Sequence, residues 1–136
     1  MPAMTPDQRD EFLRATRIAK LATLRDDGAP SVVPVWFEWD GERARVFSSE
    51  GTGKLQRIRH DPRVALSVEA GVGEPENWVT IEGTAEVLEQ GGFELASRLA
   101  PRYYGAEKAA ATLKEWVKGA ASMRLIEITP KKILSG

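Results

Sequence analysis

Between Ile18 and Phe47 the chain offers three extended runs in succession, parted by two Asp-Gly turns, and no other feature limits its fold as much. Ile18 to Arg25 closes at Asp26-Asp27-Gly28. Ser31 to Trp39, SVVPVWFEW, is dense in β-branched and aromatic residues and closes at Asp40-Gly41, after which Arg45, Val46 and Phe47 resume the pattern. Asp-Gly supplies the positive φ of a tight hairpin turn, and β-branched and aromatic side chains fit a pleated surface. Strands joined by such short turns must pair antiparallel. In the second run Val33, Val35, Phe37 and Trp39 form one face, and Val32, Pro34, Trp36 and Glu38 the other. Pro34 cannot donate to a ladder, so it marks an edge, a bulge, or a place where something other than a strand lies alongside.

The third run ends at Ser48 and Ser49, followed by Gly51-Thr52-Gly53 and a short helical pattern in which Leu55 and Ile58 share a face. Asp61-Pro62 ends that helix, and Val64, Leu66 and Val68 alternate as another strand. The helix therefore aims its N-terminus at a mouth made of small hydroxyls and glycines. Free backbone N–H groups, the hydroxyls of Ser48, Ser49 and Thr52, and Lys54 in the first turn make an anion cradle suited to phosphate. On local chemistry alone the commoner reading of such a stretch is a solvated lysine beside an ordinary turn. The stretch has neither the third glycine of a dinucleotide fingerprint nor the GK[ST] ending of a P-loop.

Elsewhere, Thr5-Pro6-Asp7-Gln8 has the residues of a capping box, predicting a helix from there to about Arg17. Trp78 to Leu88 alternates strongly, with one face buried and the other wet. Helical segments over about 93–103 and 106–118 flank Gly105, and Met123 to Ile128 and Lys131 to Leu134 are read as one or two last strands. The element order predicts a mainly β (β+α) class: a six- to seven-stranded antiparallel barrel with peripheral helices, in a single domain over residues 1–136. With 19 basic and 20 acidic residues the net charge is −1, which gives no global field for nucleic acid or an anionic membrane. No apolar run reaches the roughly 20 residues of a membrane span, and no secretory pattern opens the chain, so a soluble cytoplasmic protein is expected. Zero cysteines and one histidine exclude thiol chemistry, Cys-held iron–sulfur clusters and Cys/His zinc sites. Redox chemistry would have to come from a bound cofactor.

Three segments, Ala19 to Gly41, Ser48 to Val68 and Val79 to Val87, cover about half the chain. In order and spacing they resemble the pyridoxamine 5′-phosphate oxidase-like, flavin-binding split-barrel superfamily, specifically its small flavin/deazaflavin oxidoreductase branch. That resemblance implies a six-stranded split barrel that forms a homodimer with the cofactor at the subunit interface. By position it puts the cofactor ring along Val33, Pro34, Val35 and Trp36, with Ser48, Ser49, Gly53 and Lys54 around the phosphate. Arg57 and Arg63 are either within reach of an acidic cofactor tail or solvated. Thr52 and Gly53 stand where relatives often carry arginine, and Val32 and Val33 lack the arginine of the true oxidases. Coenzyme F-420 is therefore the first expectation and FMN the second. The implied activity is hydride transfer to a small conjugated or carbonyl-bearing substrate, with no catalytic acid or base assigned and no metal. Tyr103 and Tyr104 are either proton donors or packing. The alternative is a non-catalytic flavin- or haem-binding protein, for which His60 would be the axial ligand.

Overall fold

The computed structural model describes residues 2–136. Its elements run α1 (Pro6–Arg14), β1 (Ala19–Leu24), β2 (Pro30–Val35), β3 (Glu38–Trp39), β4 (Ala44–Ser49), α2 (Gly53–His60), β5 (Arg63–Glu69), β6 (Trp78–Leu88), α3 (Gly92–Tyr104), α4 (Ala106–Trp116), a 3₁₀ segment (Val117–Ser122) and β7 (Met123–Ser135). The strands form one antiparallel sheet in the order β2-β1-β5-β6-β7-β4-β3.

That order explains the barrel. The two edge strands, β2 and β3, are consecutive in sequence and separated only by Trp36 and Phe37. A flat seven-stranded sheet would hold its edges about 29 Å apart. Two linking residues span at most about 11 Å between flanking Cα atoms. The sheet must therefore curl until its edges nearly meet, giving a seven-stranded, mainly β half-closed barrel with peripheral helices.

Alternation along the strands fills the interior: Leu21, Leu66, Val68, Val79, Ile81, Ile126 and Ile128 are fully buried, and Leu55 and Ile58 of α2 join them. The α3–α4 hairpin lies outside, where Leu95 and Leu99 pack with Leu125, Phe47 and Trp36 in a second apolar cluster.

The expected capping box is present, with Thr5 and Gln8 bonding each other's backbone N–H groups. The helix it starts ends at Arg14 rather than near Arg17, because Ala15 is already extended and Arg17 turns back to donate to the Phe12 carbonyl and lie over its ring. The run Ser31–Trp39 is two strands, not one, since the chain leaves one sheet edge for the other at Trp36–Phe37. Conversely, Thr129-Pro130 does not divide the last stretch. β7 is a single strand that pairs with both β4 and β6, and Gly83 pairs with Pro130 beside a bulge. A β-carbon on Gly83 would collide with the Thr129 carbonyl oxygen, a backbone atom that cannot rotate away. Gly83→Ala is expected to destabilise the barrel by about 1–3 kcal/mol, read as a lower midpoint in urea or thermal unfolding; an unchanged midpoint would refute this account of the bulge.

Candidate active site

The mouth read from the sequence forms where β4 hands over to α2. Ser48 is the last inward residue of β4 and is buried despite its hydroxyl. Lys54 donates from Nζ to Ser48 Oγ at 3.0 Å, and Ser48 Oγ lies 2.8 Å from Thr52 Oγ1. Thr52 is the N-cap residue of α2, yet its side chain makes no capping bond, being engaged with Ser48 instead. The first turn of α2 thus keeps backbone donors with no side-chain acceptor. Burial, and then the neighbouring charge of Arg57, push the Lys54 pKa below that of an ordinary lysine.

Lys54 faces the β2 edge across a cavity of about 360 Å³ lined by Ile18, Pro34, Val35, Trp36, Phe47, Lys54 and Trp116. β2 pairs with β1 on one side only, as the proline suggested, so Pro34–Trp36 forms an open rim. The rim is held from behind by Tyr103. Its ring stacks on Trp36 with centroids 4.7 Å apart and planes 7° from parallel. Its hydroxyl donates to the Arg17 carbonyl at 2.5 Å and accepts from the Phe37 N–H at 3.3 Å. Burial raises the Tyr103 pKa above the usual phenol value, with backbone hydrogen bonds at Phe37 and Arg17 opposing. Of the two readings of Tyr103, packing fits this geometry, because its proton is committed to a carbonyl.

The remaining sequence-predicted residues lie outside this cavity. Val33 packs on the barrel core. Ser49 is exposed and offers its carbonyl to the Thr52 N–H. Gly53 and Arg57 line a second cavity, of about 460 Å³, with Arg25, Asp26 and Asp27. Arg57 is fixed there because Nε donates to Thr23 Oγ1 at 2.7 Å, and Thr23 is 1% exposed. Its guanidinium also sits 2.6 Å from where a β-carbon of residue 53 would be, space that a glycine leaves open. Arg63 is paired with Asp61. His60 is exposed, 3.7 Å from Asp26, and does not line the aromatic cavity. Ile18, Phe47 and Trp116 were missed as lining residues. Trp116 comes from the far end of the chain, and its only sequence signal was an aromatic near the end of a helical segment.

The family model described as pyridoxamine 5′-phosphate oxidase matches residues 5–135. The chain belongs to this family. Among curated proteins, it is 37% identical over 90 residues to a 5a,11a-dehydrotetracycline/5a,11a-dehydrooxytetracycline reductase of Streptomyces rimosus, covering 61% of this chain and 63% of that one. It is 35% identical over 78 residues to a biliverdin reductase of Mycobacterium tuberculosis that depends on reduced coenzyme F-420, covering 56% and 54%. The matches thus span less than two thirds of either curated relative. Among solved structures, an F-420 reductase superposes with a TM-score of 0.75 at 28% identity, covering 91% of this chain and 94% of that one. A conserved protein of unassigned function from Mycobacterium tuberculosis gives a TM-score of 0.76 at 24% identity, covering 97% and 84%, which supports the family fold alone.

Within this family member, Tyr103→Phe separates the two parts of the clamp, keeping the ring and removing the hydroxyl. It leaves the N–H of the buried Phe37 without its acceptor, and a loss of about 1–3 kcal/mol is expected in chemical denaturation. Wild-type stability in the variant would show that the hydroxyl does not hold the Trp36–Phe37 link between the sheet edges.

Proposed function

We propose that the protein is an oxidoreductase that uses a deazaflavin, coenzyme F-420, to reduce a small conjugated or carbonyl-bearing substrate. The observation that carries this reading is that one cavity joins a desolvated lysine, backed by Ser48 and Thr52, to the flat rim Pro34–Val35–Trp36. A cation at one end and a planar apolar edge at the other fit a ring cofactor with an acidic tail. Two of the relatives above carry F-420 in their names, which agrees with that fit.

The chemistry a bound, reduced deazaflavin would supply is a hydride for an electron-poor carbon, with the matching proton drawn from solvent. The chain's own residues bind and orient. Lys54 pairs with the phosphate, while the Ser48 hydroxyl and the backbone from Ser49 to Gly53 complete the cradle. Val33 keeps β2 seated on the core, and Pro34, Val35 and Trp36 set the plane of the ring. Arg57 acts from outside the cavity, tying α2 to β1 through Thr23 and adding positive charge beside Lys54. FMN, with a phosphate for the same lysine, is the competing coenzyme.

Titrating the protein with F-420 and with FMN, followed by their fluorescence, tests the reading. Tighter binding of F-420 is expected, with Lys54→Ala raising its Kd about ten- to a hundredfold, as for loss of a charged hydrogen bond. Wild-type affinity in that variant, or binding of neither coenzyme, would overturn it. The ammonium form of Lys54 is the one that attracts the anion. Affinity should therefore fall as pH rises through its depressed pKa, at lower pH than an ordinary lysine near 10.4 would give. A flat pH profile up to that value would count against Lys54.

We also read the working form as a homodimer with the cofactor at the subunit interface, in a soluble cytoplasmic protein. Among the described residues, no helix is long and apolar enough to cross a membrane. Ile18 and Val32 are 42% and 61% exposed beside the β2 edge, apolar surface that a second copy would cover. Light scattering should give twice the 15.0 kDa chain mass; a monomer at working concentration would refute the dimer.

A further inference from the structure

Beyond Lys54 and the Pro34–Trp36 rim, the same cavity is lined by Phe47 and Trp116, to which the proposed cofactor contacts assign no part. We infer that Trp116 is a specificity-determining residue, the wall against which a planar, conjugated, uncharged substrate lies. This rests on the reading above and deepens it. Trp36 has one face covered by the stacked Tyr103 ring and meets the edge-on ring of Tyr104, with centroids 4.7 Å away. Trp116 is not stacked in this way. Its ring is tilted 42° from Trp36 at 6.1 Å and 57° from Phe47 at 5.8 Å. A ring inserted between two others in van der Waals contact would need about 7 Å. The three rings therefore form a canted wall rather than a slot, and a ligand rests against it.

The charge pattern narrows the ligand further. Among the described residues, Lys54 is the one ionisable residue lining this cavity, and no carboxylate lines it. With the Lys54 ammonium taken by the cofactor phosphate, the cavity keeps neither a carboxylate for a cationic substrate nor a free cation for an anionic one, which leaves a neutral ligand such as a quinone or enone as the one it fits.

The mounting of Trp116 suits a selective wall. It ends α4, in which Ala109 is the one buried residue, and the following 3₁₀ segment buries none. The Lys54 cradle and the β2 rim, by contrast, are parts of the barrel. Trp116 neighbours Trp36 at the rim but belongs to none of the barrel elements that carry the cradle, so it can be replaced without cutting into them.

The test loads wild type, Trp116→Ala, Trp116→Leu and Trp116→Phe with oxidised F-420, so that no turnover occurs, and titrates each with menadione, a planar bicyclic quinone. Menadione binding is followed by quenching of the remaining tryptophan emission, and the coenzyme Kd is measured separately by its own fluorescence. Saturable quenching is expected in wild type, with the menadione Kd raised about tenfold in Trp116→Ala and Trp116→Leu and restored to within about threefold in Trp116→Phe. The coenzyme Kd should change by less than about threefold throughout. With menadione as substrate and reduced F-420 as donor, Trp116→Leu should raise KM more than it lowers kcat. If Trp116→Ala fails to fold by circular dichroism, the contrast between Leu and Phe, both apolar and smaller than Trp but of which only Phe keeps a flat aromatic face, decides the matter. Equal menadione affinity in Trp116→Leu and wild type, with coenzyme bound normally in both, would overturn this inference alone. Failure of wild type to bind F-420 would overturn the functional reading and this inference with it.

Discussion

The seam at Trp36–Phe37 is the constraint on which the rest of the molecule depends. Because two residues must carry the chain from one edge of a seven-stranded sheet to the other, the sheet has no choice but to curl. Tyr103 fixes the seam from outside, stacking on Trp36 while its hydroxyl joins the Phe37 N–H to the Arg17 carbonyl. The residues that close the barrel are therefore also the ones that shape the cavity rim. Structural closure and a candidate binding surface share the same few side chains, so the rim is held rigidly although it lies at a sheet edge.

Around that rim, the polar and apolar parts of the site come from different layers. The barrel provides Ser48 and seats α2, which brings Lys54 to the mouth. Thr23 and Arg57 add a hydrogen bond through a hydroxyl that is otherwise sealed from water, and a half-buried guanidinium tied to a buried hydroxyl fixes position as well as adding stability. The α3–α4 hairpin contributes Tyr103 to the clamp and Trp116 to the wall. Our proposals follow this division, with cofactor recognition in the barrel and substrate selection in the helices outside it.

Much of the site's chemistry was legible locally. The hydroxyl mouth, the glycine bend and the lysine in the first turn lie within seven residues, Ser48 to Lys54, and short-range geometry was enough to gather most of them. Arg57 was less accessible to such reasoning: it is only three residues from Lys54, but its direction was decided by Thr23, 34 positions earlier. Similarly, the sequence could not tell whether SVVPVWFEW was one strand or two, since alternation continues unbroken in the burial pattern across Trp36 and Phe37.

By itself, the sequence determined the strand-rich class, the antiparallel hairpins, both faces of the β2 run, the helix begun at Thr5 and the gathering of Ser48, Thr52 and Lys54 where β4 meets α2. These follow from periodicity, turn residues and caps, all properties of neighbours along the chain. Only the tertiary structure decided that β2 and β3 are opposite edges of one curled sheet, that Thr129-Pro130 stays paired beside a bulge and is not a break, and that Trp116 and Tyr103 stand at Trp36. Those relations join residues that no local preference brings together, and they are set by how the whole sheet must bend and what its outer face must bury.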